Sequence, residues 1–133
     1  MNAYLIPALS IKQPWAWLIA HGYKPIENRS WKTHKRGEIY IHAGKKFDLA
    51  GYNWVKINFP DIPMPDPNDF EKGGIVGKAT IASCVSHSQS DWFFGAYGFE
   101  LTNPETVLFI PCLGKLGFFN PNLEKVISHG NHT

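Results

Sequence analysis

The spacing of apolar positions changes several times along the chain, and each change marks an element. Ala8-Leu9-Ser10-Ile11-Lys12 is a short stretch suited to a strand. Pro14 follows where a first helical turn tolerates it, because its missing N–H would have no partner there. Trp15, Leu18 and Ile19 then recur at helical spacing, and Gly22 ends that pattern as a C-terminal cap. From Lys24 the chain alternates, with Ile26, Asn28 and Ser30 against Glu27, Arg29 and Trp31, which predicts a strand with one charged face. Residues 37–43 alternate again and predict a second strand. The segment Lys45–Ile57 predicts a helix whose apolar stripe is Phe47, Ala50, Trp54 and Ile57.

Residues 60–69 hold Pro60, Pro63, Pro65 and Pro67 with Asp61, Asp66 and Asp69, an extended surface loop too short to separate two domains. Residues 75–86 predict a long strand, 97–102 and 107–110 two more, and Gly114–Phe119 a last one. A short helix is expected after Asn120, with a frayed tail at 129–133. The elements predict one α+β domain over residues 1–133, its core at about 4–119. Five or six strands curl into a sheet or barrel against two or three helices.

Composition narrows the class. With 133 residues, 44% hydrophobic and 18% charged, the chain suits one soluble globular domain with a real core. Its longest unbroken apolar run is Trp15–Ala20, far below the roughly 20 residues of a membrane span. No charged segment followed by an apolar stretch opens the chain, so no secretory signal is expected. The two cysteines, Cys84 and Cys112, form no CxxC pair and suit neither a disulfide scaffold nor a zinc ribbon; a cytoplasmic setting is expected. The net charge of +2 conceals an asymmetry, since residues 1–60 carry nine Lys/Arg against three acids, and the remainder four against eight. A basic lobe on a nearly neutral protein suggests a polyanionic partner or a solvated lysine-rich face.

The densest chemical cluster is Lys24, Glu27 and Arg29. A carboxylate between two cations can act as a base, orient a lysine or simply pair with the arginine; on an exposed strand it would be an ion-pair ladder of little energetic consequence. Ser10, Lys12 and Gln13 deliver polar groups to a predicted helix N-terminus, where free N–H groups favour an anion. The six histidines lack metal-ligand spacing, so neither a metal nor a cofactor is expected; His42 is expected to hydrogen-bond across the sheet or line a pocket. No GxSxG elbow, Walker loop or dinucleotide fingerprint occurs. Trp31, Tyr40 and Trp54 lie beside the basic lobe and are candidates for stacking on unpaired bases.

Gly22-x-Lys24-x-x-Glu27-x-Arg29 resembles the GxKxxExR motif of ASCH-domain proteins, a family similar in fold to the PUA RNA-binding domain. Ala8–Trp15 before it, Arg36-Gly37-x-Ile39-x-Ile41-His42-Ala43 after it and Gly114-x-Leu116-Gly117-Phe118 agree, so the likeness spans residues 4 to about 119. The resemblance implies a PUA-like β-barrel with a cleft lined by Lys24, Glu27 and Arg29, in a family associated with binding RNA or other nucleic acid and with members reported as nucleases. One divergent branch hydrolyses N4-acetylcytidine through a threonine, in a KxxT motif whose nucleophile aligns with Glu27 here. The expectation is a protein that binds RNA, another single-stranded nucleic acid or a nucleotide through Ser10, Lys12, Gln13, Lys24, Glu27, Arg29, Trp31, His42 and Lys45. The alternatives are a hydrolase of RNA or a modified nucleoside using Lys24 and Glu27, and a protein-interaction domain using loop 60–69.

Overall fold

A computed structural model describes residues 5–121 and 123. Alternating apolar residues pair as strands wherever one face can be buried: β1 (Ala8–Gln13), β2 (Ile26–Arg29), β3 (Gly37–Phe47), β4 (Gly74–Val85), β5 (Tyr97–Pro111) and β6 (Phe118–Phe119). Two helices interrupt them, α1 (Trp15–Ala20) after β1 and α2 (Leu49–Asn58) after β3. The strands form one sheet in the order β2-β5-β4-β3-β1-β6. Only β1 and β3 run parallel, with Leu9 opposite Ile41 and Ser10 opposite His42; the other neighbours are antiparallel. A parallel pair needs a crossover connection, and the segment containing α1 and β2 supplies it.

The buried face of the sheet carries Leu9, Ile39, Ile41, Ile81 and Phe99, against which α1 lays Ala16 and Ile19. Helix α1 sits unusually close to β4, because a Cβ on Gly77 would lie 2.6 Å from Ala20 Cβ and 2.6 Å from the Glu105 carbonyl. At its C-terminal end Gly22 takes φ +84°, as expected of a helix-ending glycine, and donates its N–H to the Ile19 carbonyl at 3.0 Å.

The α+β expectation holds, with a sheet that does not close. Edge strands β2 and β6 do not pair among the described residues. Side chains bridge the seam instead: Trp31 packs edge-on against Phe99 and Phe118, and Arg29 donates to the Ser10 carbonyl of β1. Several boundaries differ from the sequence pattern, among them β2, which ends at Arg29 before Ser30 and Trp31. Lys45–Phe47 extend β3, so α2 begins only at Leu49, after Asp48 caps it by accepting from Gly51 N–H at 2.8 Å. The two strands expected over 97–110 are one, β5, which absorbs register shifts against β4 and a left-handed Asn103 (φ 51°) without ending. Pro104 is tolerated there because β2 pairs β5 only over Tyr97–Glu100, leaving that flank without a ladder to break. The closing strand is only Phe118–Phe119.

The proline loop is also less free than expected. Ile62 and Met64 pack on the apolar cluster of Leu18, Ile26, Val55 and Trp92, and Tyr52 donates to the Pro65 carbonyl at 2.9 Å. The helix expected after Asn120 lies outside the described residues apart from Leu123, and the tail 129–133 lies wholly outside them.

Gly77→Val tests the docking of α1. Its added carbons have no space against Ala20, so stability falls by about 1–3 kcal/mol in urea denaturation. Leu108→Ala, at a 92% exposed side chain, changes it by less than about 0.5 kcal/mol.

Candidate functional site

Strand β2 enters the sheet through the Pro25 carbonyl, which accepts from Leu101 N–H at 2.8 Å. Its alternation then places Glu27 and Arg29 on one face, as the sequence indicates. Lys24 reaches back to the same point. The cluster is not a surface ladder: Lys24 is 4% and Glu27 7% exposed. Glu27 Oε2 accepts from Arg29 Nε at 3.0 Å, and Oε1 faces Lys24 Nζ at 3.4 Å. Lys24 Nζ also donates to the Ile26 carbonyl and lies 5.5 Å from the centre of the Trp15 ring. Arg29 Nη2 donates to the Ser10 carbonyl at 2.8 Å, and its guanidinium lies 5.9 Å from the Trp31 ring centre.

Burial holds the Lys24 amine below the ordinary lysine value of 10.5; the Glu27 carboxylate opposes that shift through charge and hydrogen bonding, and Arg29 adds to it. Lys24 thus gives up its proton more readily than a solvated lysine, while Glu27 restrains the loss.

These three residues form the floor of a cleft of about 750 Å³. Aromatic side chains wall it: Trp15 from α1, Trp54 from α2, Trp31 after β2, and Trp92 and Phe94 from the loop before β5. Two polar side chains hold these walls. Asn28 Nδ2 donates to the Trp92 carbonyl and its Oδ1 accepts from Phe94 N–H, both at 2.9 Å. Asp48, besides capping α2, accepts from Trp15 Nε1 at 3.1 Å. Phe94 is 54% exposed, and Lys12 and Ser30 stand exposed on the rim.

Of the residues expected at a site, Ser10, Lys12, Lys24, Glu27, Arg29 and Trp31 line this cleft. His42 and Lys45 line a neighbouring one of about 930 Å³, which shares Ser10, Lys12 and Arg29 with the first. His42 bonds across the sheet: a carbonyl only accepts, so Nε2–H donates to the Cys112 carbonyl at 2.6 Å, and Nδ1 accepts from the Ser10 hydroxyl at 3.0 Å. Gln13 is turned away from both clefts and is structural: its Oε1 accepts from Trp17 N–H at 2.8 Å and its Nε2 donates to the Glu71 carbonyl at 2.9 Å. That corrects the expected anion site at the start of α1. The helix has only six residues, and Gln13 itself occupies its first turn. Tyr40, offered for stacking, packs instead on the cluster of Ala8, Ile75 and Phe119.

Sequence reasoning missed Trp15 as a cleft wall, and with it Asn28, Asp48, Trp92 and Phe94. Asp48 with Gly51 three residues on was a legible cap, and Trp92-Phe93-Phe94 within a serine-rich loop was the one local sign of an exposed aromatic group. Among the described residues no three His, Cys, Asp or Glu stand together as a metal site. No helix among them is long and apolar enough to cross a membrane.

Residues 9–112, running from β1 through β5, match the ASCH domain. The chain belongs to the ASCH family. Its fold is accordingly of the PUA-like kind. Similar curated proteins are the activating signal cointegrator 1 of Mus musculus, 31% identical over 90% of this chain, and that of Homo sapiens, 34% identical over 61% of it. The ASCH chain described here spans 22% and 15% of the length of those relatives, so it corresponds to about a fifth or less of each.

The buried triad predicts an asymmetry between its members. Glu27→Gln leaves two cations without a counter-charge and lowers stability by about 3–5 kcal/mol, whereas Lys24→Met keeps the Glu27–Arg29 pair, removes the donor to the Ile26 carbonyl and to Glu27 Oε1, and lowers it by only about 1–2 kcal/mol at neutral pH. Because the folded state lowers the Lys24 pKa, the unfolded chain binds more protons between the folded value and 10.5. The wild type therefore gains stability relative to Lys24→Met as pH rises through that window, and the gain is complete above 10.5. Urea denaturation of all three proteins from neutral to alkaline pH measures both effects; a Lys24→Met protein less stable than Glu27→Gln would refute the assignment.

Proposed function

We propose that this ASCH domain binds single-stranded RNA, taking one unpaired base into the aromatic cleft over the Lys24–Glu27–Arg29 floor. The observation that carries the reading is the combination of a buried, singly positive triad with five aromatic side chains around one opening. Aromatic faces accept any unstacked base, and a fixed cation beneath them favours a phosphate or a base carbonyl. Within this site the roles divide by exposure. Arg29 and Lys12 face the ligand, Phe94 and Trp54 stack on the base, and Lys24 holds Glu27 and thereby the angle of the arginine. The family match supports nucleic-acid interaction as the general class.

A second reading is favoured by one observation. A lysine amine that deprotonates readily beside a carboxylate is also what a hydrolase of a modified nucleoside needs, with Lys24 as base or oxyanion partner. Against it, both Glu27 oxygens already face cations, so neither is free to hold an attacking water. Turnover of nucleosides, N4-acetylcytidine among them, is followed by chromatography; conversion that disappears in Glu27→Gln would establish the enzyme.

The binding reading is tested by fluorescence anisotropy with a labelled short single-stranded RNA at low salt. Phe94→Ala removes an exposed stacking face without disturbing the core and weakens binding about tenfold. Arg29→Ala, or Lys24→Ala with Arg29→Ala, weakens it at least as much. Affinity unchanged in these variants, once shown to be folded, would end the assignment.

A further inference from the structure

The second cleft has a chemistry of its own. Lys12, Arg29, Lys45, Lys46 and Lys115 all line it, and no acidic residue does. Three other cations of the chain are ion-paired: Arg29 and Lys24 with Glu27, and Lys78 with Glu38 and Glu105. Lys12, Lys45, Lys46 and Lys115 make no ion pair among the described residues, and all four are exposed. Four unneutralised ammonium groups around one opening repel each other, and an anion relieves that repulsion.

This cleft is built rather than incidental. Its floor is His42, which donates to the Cys112 carbonyl and accepts from Ser10, so it ties the segment after β5 down onto β1. Gly114 packs closely against that imidazole, where an added Cβ would lie 2.7 Å from Cε1. The segment docked this way carries Lys115 to the edge of the opening, facing Lys45 and Lys46 at the end of β3. The two clefts meet along β1. Leu9 and Ile11 point into the core, while Ser10 and Lys12 line both openings, and Arg29 reaches across to the Ser10 carbonyl between them.

We infer that the second cleft carries the sugar–phosphate backbone of the nucleotides flanking the base held in the first, so that a single strand crosses β1 at Ser10 and Lys12 and continues over Lys45, Lys46 and Lys115. This rests on the binding function proposed above and extends it from one nucleotide to a path. The basic groove selects phosphate without reading sequence, and the aromatic cleft holds the base.

Anisotropy with a labelled RNA hexamer and a labelled dinucleotide tests the path, comparing the wild type with Lys45→Ala/Lys46→Ala/Lys115→Ala across about 50 to 200 mM salt. The three side chains are exposed, so the variant keeps its fold, which a thermal melt verifies. Single-stranded phosphate contacts each contribute about 0.7 to the slope of log affinity against log salt, so the variant's hexamer slope falls by about 2. Its advantage of hexamer over dinucleotide is lost, because it loses more affinity for the hexamer than for the dinucleotide. Lys32→Ala/Lys35→Ala/Lys56→Ala, which removes equal charge away from both clefts, leaves the hexamer slope unchanged. A hexamer that binds the Lys45/Lys46/Lys115 variant with wild-type affinity and slope overturns the path and leaves the one-base reading standing. Equal loss in the control variant also overturns it, as a mere effect of net charge. Wild-type protein that binds neither RNA removes the function itself. Polyglutamate that binds with the same slope and the same variant sensitivity assigns the groove to acidic peptides instead.

Discussion

A single carboxylate holds the candidate site together. Glu27 accepts from Arg29 and faces Lys24, and Arg29 in turn donates to the Ser10 carbonyl on β1. Strands β2 and β1 are not hydrogen-bonded neighbours in the sheet, so this chain of charged contacts is a bridge across the seam that the ladder leaves open. Buried charge of this kind is expensive to desolvate and contributes little net stability. It does fix geometry: each guanidinium and ammonium hydrogen has a limited set of acceptors, and moving one member leaves another unpaired in a poorly solvated place.

The same economy of polar groups organises the aromatic walls. Asn28 belongs to β2, yet both ends of its amide are used on the loop carrying Trp92 and Phe94. Asp48 caps α2 with one oxygen and holds the Trp15 indole with the other. Strand, loop and helix are thereby set relative to one floor, with Trp92 buried in the core beneath the loop and Phe94 left exposed at the cleft. Trp54 meets Trp92 and Phe94 edge-to-face, while Trp92 stacks on Phe59 with ring centres 4.3 Å apart.

Much of this was legible locally. The alternation through Ile26–Arg29 reports correctly that Glu27 and Arg29 share a face, the glycine after α1 marks its end, and the family motif draws attention to Lys24. Period two cannot say which face of a curled sheet is inside, so the cluster reads equally well as an exposed ladder until the fold is known. Contacts across the chain were beyond reach: Asn28 and Trp92 are 64 positions apart, and His42 meets the Cys112 carbonyl across 70. Gln13 shows the reverse error. It sits in an alternating strand beside Ser10 and Lys12, but a residue one step along a strand points to the opposite face. β5 runs on through Asn103 and Pro104, two residues that locally disfavour a strand, and its one-sided pairing beyond Glu100 explains why it survives them.

The open sheet also determines where the domain can yield. Separating paired strands sacrifices a ladder of backbone hydrogen bonds, whereas widening the β2–β6 seam disturbs Trp31 against Phe118 and the Arg29–Ser10 bond, and no ladder at all. Both clefts border that seam, through Trp31 and Arg29 on one side and Ser10 with the segment before β6 on the other. Among the described residues, the line of the sheet that no ladder holds therefore runs along both openings, and a change in cleft width there breaks side-chain contacts alone.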